Sequence, residues 1–498
     1  MSDREIISAV KYVARMKKEF ALSEIKEYIK SEATEGEIYS VIKPLLFDLG
    51  LEATQVDGDH RVTSLPPVKP LAMSDEEKKQ QNDYLKKQRV SRKLEHIIEQ
   101  YVEKKTGKAW DDPAVLEKIR KAIVIQKAQY WKEGEKRQIS YDTGYGILGY
   151  LAYQFPVYFA QFQHVLKSMA DDGLLKNRMK VLDVGTGPGV IPLAIIDFYQ
   201  RLSGAKAKVY ALEKYDENIE AYGGLVPAYA SIKNNVDADK PMKADITDLK
   251  YEEIPDKLDL IVFSNVLNEL SGVNIDKRSD IVLKLAEKLA PDGSIVIIEP
   301  AEKVNSMEMR KTVLALQRKG LHIYSPCSFI WCDHCNPISC WSFDEKDDMA
   351  PTRLMEQVAK CEESYRYMNT DIKYSYAILR KDNLIRETYV VPLKAPFAKL
   401  SSLNNHINKR INVVVARMSG DLGDKKKKVF KICDGTAIKP VYAIIPAYYI
   451  SDNNRTLMHA AYGEVLEIDG VIARYNKEYD AYNLFITRNS KIRKAGDE

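Results

Sequence analysis

Residues 179–199, "MKVLDVGTGPGVIPLAIIDFY", decide the fold. A buried strand ending near Asp183 passes through a glycine-rich turn into an apolar helix, the opening unit of a doubly wound parallel sheet. Gly185, Gly187 and Gly189 are spaced G-x-G-x-G, so the dinucleotide fingerprint G-x-G-x-x-G is not met. Such a turn lets the backbone approach a ligand where side chains would block it. Working outward, "KVYALEK" reads as a second strand ending in Glu213, at about the interval where an acidic residue meets ribose hydroxyls. A carboxylate accepts two hydrogen bonds from a cis-diol, which suits an adenosyl ribose. "MKADITDL" puts Asp245 before a loop. "LDLIVFSNVLNELSG" gives a fourth strand with Ser264, Asn265, Asn268 and Glu269 at its carboxyl end, and "APDGSIVIIEP" a fifth ending in Glu299. Ligands of open α/β sheets bind beyond the carboxyl ends of strands, so these residues are expected in one crevice.

Together the loop, Asp183, Glu213, Asp245 and the strand order resemble the class I methyltransferases that use S-adenosylmethionine. The resemblance implies that Glu213 holds the ribose, Asp245 the adenine amine, and the glycine loop the methionine part. The expected cofactor set is Asp183, Gly185, Gly187, Gly189, Glu213, Asp245, Ser264 and Asn265, with Asn265, Asn268 and Glu269 nearest the methyl acceptor. No cysteine stands at the fourth or fifth strand end, so covalent carbon methylation has no obvious nucleophile.

"CSFIWCDHCNPISC" (327–340) gathers four of the chain's six cysteines. The spacing C-x4-C-x2-C-x4-C of Cys327, Cys332, Cys335 and Cys340 can close a tetrahedral zinc site or hold the corners of an iron–sulfur cubane. One compact wrap suits a cluster better than a finger, with zinc as the alternative. Pro326, Phe329, Trp331 and Trp341 are expected to shield it, His334 to be a solvated neighbour of the ligands with a substitute ligand as the alternative, and Cys361 and Cys433 to pack as small apolar residues.

With "YLAYQFPVYFAQFQHVL" before the glycine loop, "SNVLNEL" after the fourth strand, a four-cysteine insertion following the fifth and then "DIKYSYAILRKD", the chain resembles the ribosomal small subunit methyltransferase-like family over about residues 140–382. The resemblance implies a role in small-subunit assembly and a [4Fe-4S] cluster on Cys327, Cys332, Cys335 and Cys340. Four cysteines argue against radical chemistry, which leaves one iron without a protein ligand. A staple for an RNA- or protein-binding surface is the preferred role for the cluster, a redox or iron sensor the alternative.

The expected architecture is α/β, a Rossmann-like methyltransferase core with appended domains: a winged-helix-like domain (1–66), a linker (67–84), a helical segment packing on the core (85–170), the methyltransferase domain with its Cys-rich insertion at 325–343 (171–383), and an OB-fold barrel (384–498). Ser23 is expected to cap a helix of the head, and Asp57-Gly58 to turn a hairpin. Pro44 interrupts the head's third helix and Lys43 is its one basic residue, which favours protein docking over nucleic acid there.

Net charge is only +4, yet unevenly spread: residues 1–66 carry 9 Lys/Arg against 12 Asp/Glu, and residues 384–498 carry 19 against 12. Five strand-like runs in that basic tail resemble the single-strand-binding OB domains of the replication protein A type. Lys425, Lys426, Lys427 and Lys428 form a basic loop, and Phe430, Tyr442, Tyr475, Tyr482 and Phe485 are the candidate rings for base stacking. No apolar run is long enough to span a bilayer and the start lacks a signal-peptide pattern, so a cytoplasmic enzyme is expected.

The function expected is an S-adenosylmethionine-dependent methyltransferase acting on RNA, most of all ribosomal RNA or an assembling small subunit. The alternatives are a non-catalytic assembly factor that binds RNA, and a protein methyltransferase docking on a large cytosolic complex through its head.

Overall fold

The computed structural model describes residues 3–29, 33–130 (backbone alone at 129 and 130), 144–270, 272–331, 335, 340–392 and 394–497. Two compact units divide the chain, Met1–Pro70 and Leu71–Glu498.

In the first unit α1 (Asp3–Met16) buries Ile6, Ala9, Val10 and Val13, one helical face. Strand β1 (Glu19–Ala21), a 3-10 turn (Leu22–Tyr28), α2 (Glu35–Ile42) and α3 (Leu46–Leu49) lead into the hairpin β2 (Leu51–Val56) and β3 (Asp59–Ser64). The sheet order β1-β3-β2 is a winged-helix arrangement, and Asp57 and Gly58 take the positive φ that the turn requires. One expectation is corrected: Ser23 caps no helix, because its hydroxyl donates to Asp59 (2.6 Å). Pro44 interrupts the helix as expected, since α2 ends at Ile42 and a 3-10 turn, Lys43–Leu45, separates it from α3.

The second unit opens with α4 (Asp75–Lys87), where a linker was expected. Ser74 and Glu77 form a capping box, and the charged sequence hides one inward residue. Gln81, 1% exposed, donates to the Phe198 carbonyl (3.0 Å) and accepts from Arg201 (2.9 Å). Helices α5 (Arg92–Thr106), α6 (Pro113–Tyr130), α7 (Gly146–Tyr153) and α8 (Phe155–Asp171) follow, and their aromatics are mostly core.

The central sheet is built from β4 (Arg178–Val184), α9 (Val190–Gln200), β5 (Lys206–Glu213), α10 (Asp216–Ala230), β6 (Val236–Ala238), β7 (Met242–Lys243), β8 (Leu258–Ser264), α11 (Ile275–Ala286), β9 (Leu289–Pro300), α12 (Lys303–Arg318), β10 (His322–Ser325), β11 (Asp344–Glu345), α13 (Arg353–Val358) and β12 (Lys373–Arg380). Its order is β10-β12-β9-β8-β4-β5-β6, with β7 also on β5. Strand β12 runs against both β9 and β10, while β4, β5, β8 and β9 are parallel. This is the class I methyltransferase topology. The cysteine segment lies between β10 and β12, one strand later than the sequence suggested, because His322–Ser325 forms a strand of its own.

The tail closes a barrel from β13 (Arg410–Arg417), β14 (Lys427–Cys433), β15 (Val441–Pro446), α14 (Thr456–His459), β16 (Val465–Asn476) and β17 (Ala481–Phe485), with β18 (Lys491–Lys494) added on β16. Order β13-β14-β15-β17-β16 returns to β13, and β15 pairs parallel with β17, as in an OB-fold. Val414, Ala416 and Tyr462 share an apolar core with Tyr374, Tyr376 and Ile378, so barrel and sheet pack as one body. Among the described residues no helix is long and apolar enough to cross a membrane.

Candidate functional site

The carboxyl ends of β4, β5, β8 and β9 form one crevice. At its floor the turn after β4 is pinned by two amides, Gly185 and Thr186, both donating to the Leu212 carbonyl (2.9 Å). All three glycines have positive φ, for different reasons. A Cβ on Gly185 would lie 2.6 Å from Val266 and one on Gly189 2.4 Å from Val226, so neither position has room for a side chain. A Cβ on Gly187 would meet nothing within 4 Å, leaving that side open for a ligand. Glu213 accepts from the amides of Gly187, Lys214 and Tyr215, each at 2.8 Å, which fixes its carboxylate beside the glycine turn.

Asp183 is buried and its Oδ2 has no hydrogen-bond partner. Burial pushes its carboxyl up to about 7, the Thr186 hydroxyl pulls it down and the Glu213 charge adds to the rise. Asp245 caps the next 3-10 turn, accepting from Thr247 and pairing with Lys214 (2.8 Å). Against partial burial, Lys214 and Thr247 hold it down to about 2. Both of its oxygens are therefore engaged where an adenine contact was expected.

Asn265 adopts the left-handed region (φ 58°), donates its amide to the Ile298 carbonyl (2.8 Å) and its side-chain nitrogen to Ser264 (3.3 Å). The side-chain oxygens of Asn265 and Asn268 are buried without hydrogen-bond partners, and Glu269 is exposed at the rim. Sequence reasoning left the roles of two residues here open, although Glu299 was expected in the crevice. Glu299 accepts from the amides of Leu267 (3.0 Å) and Asn268 (3.3 Å) and so holds the turn carrying Asn265, Asn268 and Glu269. Tyr150 on α7 is the other, its phenol raised by burial and by Tyr158, Glu269, Asp183 and Glu213 around it. Aromatics at helical spacing read as core, which hid it. The residues present fit S-adenosylmethionine: the ligand is a cation at its sulfonium, and the crevice combines carboxylates, unpartnered buried oxygens and an open glycine.

Of the four clustered cysteines, Cys332 lies outside the described residues, as does His334. Cys327 and Cys335 pack against the same apolar cluster under the sheet. Cys340 lies 4.0 Å from Lys431 Nζ and 3.9 Å from Ser342 Oγ. Cys433 packs against the apolar core as expected, on the face of β14 that carries Lys431, and is electrostatically coupled to Cys340 and Cys327, whereas Cys361, expected to pack likewise, is corrected to an exposed residue just beyond α13. Burial raises the Cys327 thiol to about 11, opposed by Arg310, whereas Lys431 and Arg310 outweigh burial and lower Cys340. Among the described residues no three His, Cys, Asp or Glu side chains stand close enough to hold a metal ion. Cys327, Cys340 and Cys433 are electrostatically coupled to one another.

On the barrel, Phe430 is corrected from a stacking ring to a core residue, 2% exposed, because β14 alternates Phe430 and Ile432 inward with Lys431 and Cys433 outward. Lys425, Lys426 and Lys427 are exposed, and Lys428 pairs with Asp421 (2.8 Å). Tyr475 and Tyr482 contact each other at 5.3 Å; Lys439 donates to Tyr475, and Tyr482 leans on the barrel core. Tyr442 aligns with Asn483 and Arg474 in one cross-strand row, and Phe485 with Ile444 and Ile472 in the next. Arg474 lies over the Phe485 ring at 4.9 Å. These two rows make the partly exposed aromatic and basic face.

The family described as mitochondrial small ribosomal subunit Rsm22 matches residues 145–433, more than half of the chain. The N- and C-terminal domains of a family of unknown function, DUF8157, match residues 3–57 and 401–495. No curated protein matches. Among solved structures, a TehB-like S-adenosylmethionine-dependent methyltransferase from Corynebacterium glutamicum is similar at 16% identity, covering 46% of this chain and 100% of that one, with a TM-score of 0.26. A methyltransferase from Methanosarcina mazei is similar at 14% identity over 43% of this chain and 97% of its own (TM-score 0.26). One from Clostridium acetobutylicum reaches 8% identity over 70% and 76% (TM-score 0.22). At such scores these likenesses add nothing to the fold argument, which rests on strand order.

Proposed function

Because the chain belongs to the mitochondrial small ribosomal subunit Rsm22 family, we propose that it is an S-adenosylmethionine-dependent methyltransferase acting on RNA of the small ribosomal subunit or its assembly intermediates. The observation that carries the reading is the meeting, at the sheet's carboxyl ends, of the glycine turn, Glu213, Asp183 and the turn bearing Asn265, Asn268 and Glu269. When bound, S-adenosylmethionine supplies an electrophilic methyl group that needs positioning more than activation. Glu213, already oriented by three amides, presents its remaining acceptor capacity to a diol. Asn265 and Asn268 offer buried carbonyl oxygens to N–H or O–H donors, and Glu299 keeps their turn in place. Tyr150 is the buried phenol beside the carboxylates of Asp183, Glu213 and Glu269.

The barrel's face at Tyr442, Phe485 and Arg474 is the proposed RNA contact, with Lys425, Lys426 and Lys427 at its edge. The thiols Cys327, Cys335, Cys340 and Cys433 are the proposed holders of a [4Fe-4S] cluster or a zinc ion, with Cys332 the competitor for one place. The chemistry of the donor set supports this, since soft thiols of the core, Cys327 and Cys340, and of the barrel, Cys433, are buried and electrostatically coupled. Its role is the staple between sheet and barrel.

The test is transfer of labelled methyl from S-adenosylmethionine to immature small subunits, with calorimetric cofactor binding, for wild type, Glu213→Ala and Asn265→Ala. Binding with turnover, lost in Glu213→Ala, supports the enzyme. Binding without turnover on any ribosomal substrate would move the chain to the assembly-factor reading.

A further inference from the structure

Six Lys or Arg side chains among the described residues are more than nine-tenths buried: Lys167, Lys208, Arg278, Arg310, Arg380 and Lys431. Four have carboxylate partners, namely Asp171 for Lys167, Asp237 and Asp239 for Lys208, Glu308 for Arg278 and Asp382 for Arg380. Arg310 and Lys431 have none among the described residues, and both stand at the cysteines.

Arg310 reaches from α12 and is 1% exposed. Its Nε donates to Ser342 Oγ (3.0 Å), its Nη2 to the Tyr376 carbonyl (2.9 Å) and to the Tyr462 hydroxyl, and its Nη1 is buried with no partner. Ser342 Oγ also accepts from Tyr462 (3.0 Å) and sits 3.9 Å from Cys340 Sγ. Lys431 comes from the opposite side, on β14 of the barrel, and is 6% exposed. Its Nζ donates to the Trp341 carbonyl (2.7 Å) and stands 4.0 Å from Cys340 Sγ. A buried charge without a counter-charge costs several kcal/mol. Neutral hydrogen bonds offset only part of that, so two such cations around one set of thiols call for an anion between them.

We propose that Arg310 and Lys431 are the counter-charges of a doubly negative tetrathiolate group, one supplied by the methyltransferase core and the other by the barrel. Four thiolates on a core of charge +2, whether zinc or an oxidised four-iron cluster, leave two negative charges, which two cations balance. The inference rests on the proposed thiol-bound group and adds what fixes its charge. The group then fastens the barrel electrostatically as well as through its ligands, because Lys431 would be stranded in its absence.

The test uses the full chain, purified without oxygen, as wild type, Lys431→Met, Lys431→Arg, Arg310→Met and Arg310→Lys. Iron, sulfide and zinc contents are measured first, then the rate of metal loss to a chelator and, for an iron–sulfur form, the midpoint potential. Lys431→Met should lose metal about tenfold faster than wild type, the effect of roughly 1.4 kcal/mol. Its potential should move to more negative values, since a missing positive charge makes electron addition harder. Lys431→Arg should track the wild type in both readouts. The Lys431 pair decides the matter if Arg310→Met fails to fold. A metal-loaded wild type whose Lys431→Met variant matches it in both readouts would overturn the counter-charge role while leaving the thiol-bound group standing. A wild type with neither metal nor sulfide would overturn both.

Discussion

Glu299→Gln tests the buried carboxyl that holds the turn after the fourth strand of the core. Glu299 is 1% exposed, its Oε1 accepts from Leu267 and Asn268, and its Oε2 has no partner. Burial pushes its carboxyl from 4.5 up to about 8; the Asn268 amide opposes, the Glu269 charge adds, and the Leu267 amide and Arg278 oppose. The folded protein therefore keeps Glu299 protonated at neutral pH, while the unfolded chain ionises it above about 4.5. A raised carboxyl pKa means stability present below the unfolded value and lost as pH climbs to the folded one. At about 1.36 kcal/mol per pH unit, wild type should lose up to about 5 kcal/mol relative to the neutral variant between pH 4.5 and 8, and no more above 8. The amide keeps an oxygen for both backbone donors, so near pH 5 the two proteins should melt together. Paired thermal unfolding from pH 5 to 9 reads this as a widening gap, on the order of several degrees by pH 8 with Glu299→Gln the more stable. A gap that does not change with pH, or a variant that melts lower at pH 8, refutes the protonated carboxyl. Glu299→Ala is the control: it strips two buried amides of their acceptor at about 1–3 kcal/mol each, at every pH.

Gly187→Ala and Gly189→Ala both force an alanine into left-handed backbone, at about 1–3 kcal/mol of stability each, but only the Gly189 Cβ also meets Val226 at 2.4 Å, so Gly189→Ala should melt clearly lower, while Gly187→Ala, with open space around its Cβ, should be milder and weaken cofactor binding; calorimetry beside melting curves separates them. Asp183, protonated up to about pH 7, should ionise when a cationic ligand arrives. S-adenosylmethionine affinity should then tighten as pH rises through 7 and level off above, with proton release read from titrations in buffers of different ionisation enthalpy. On the barrel, Tyr442→Ala and Phe485→Ala should each weaken single-stranded RNA binding by about 1–3 kcal/mol per lost stack, measured by fluorescence anisotropy at fixed salt. Phe430→Ala should instead cost about 3–5 kcal/mol of stability.

Where a residue's role is local, the sequence carried it. The glycine turn, the strand ends at Asp183 and Glu213, and the hairpin at Asp57-Gly58 follow from spacing and turn chemistry within a few residues. What was lost depends on contacts distant in the chain. Gln81 looks like one more polar residue in a charged stretch, and only its partners Phe198 and Arg201 make it buried. Cys433 lies 93 positions beyond Cys340, so no spacing rule joins them. Phe430 was mistaken for a surface ring although the alternation of "KVFKICDG" permits only one of two assignments. Burial decided which.

That alternation also constrains the barrel's use. In an OB-fold the outer face of the second strand is available to a ligand, yet here β14 turns Lys431 and Cys433 toward the cysteine segment, and Ser328 donates to the Gly463 carbonyl (3.1 Å) to close the same seam. The proposed RNA contact is left the next strands, β15, β17 and β16. Tyr442, the first ring on that free face, is the register partner of Lys431, the last cation on the covered one. A change of charge at the thiols therefore acts one strand away from the proposed RNA contact, through a backbone ladder that cannot slip without reversing every side chain of β14. Filling the proposed thiol-bound group should therefore change affinity at the proposed RNA contact, which fluorescence anisotropy on loaded and chelator-stripped protein reads; equal affinities would refute the coupling.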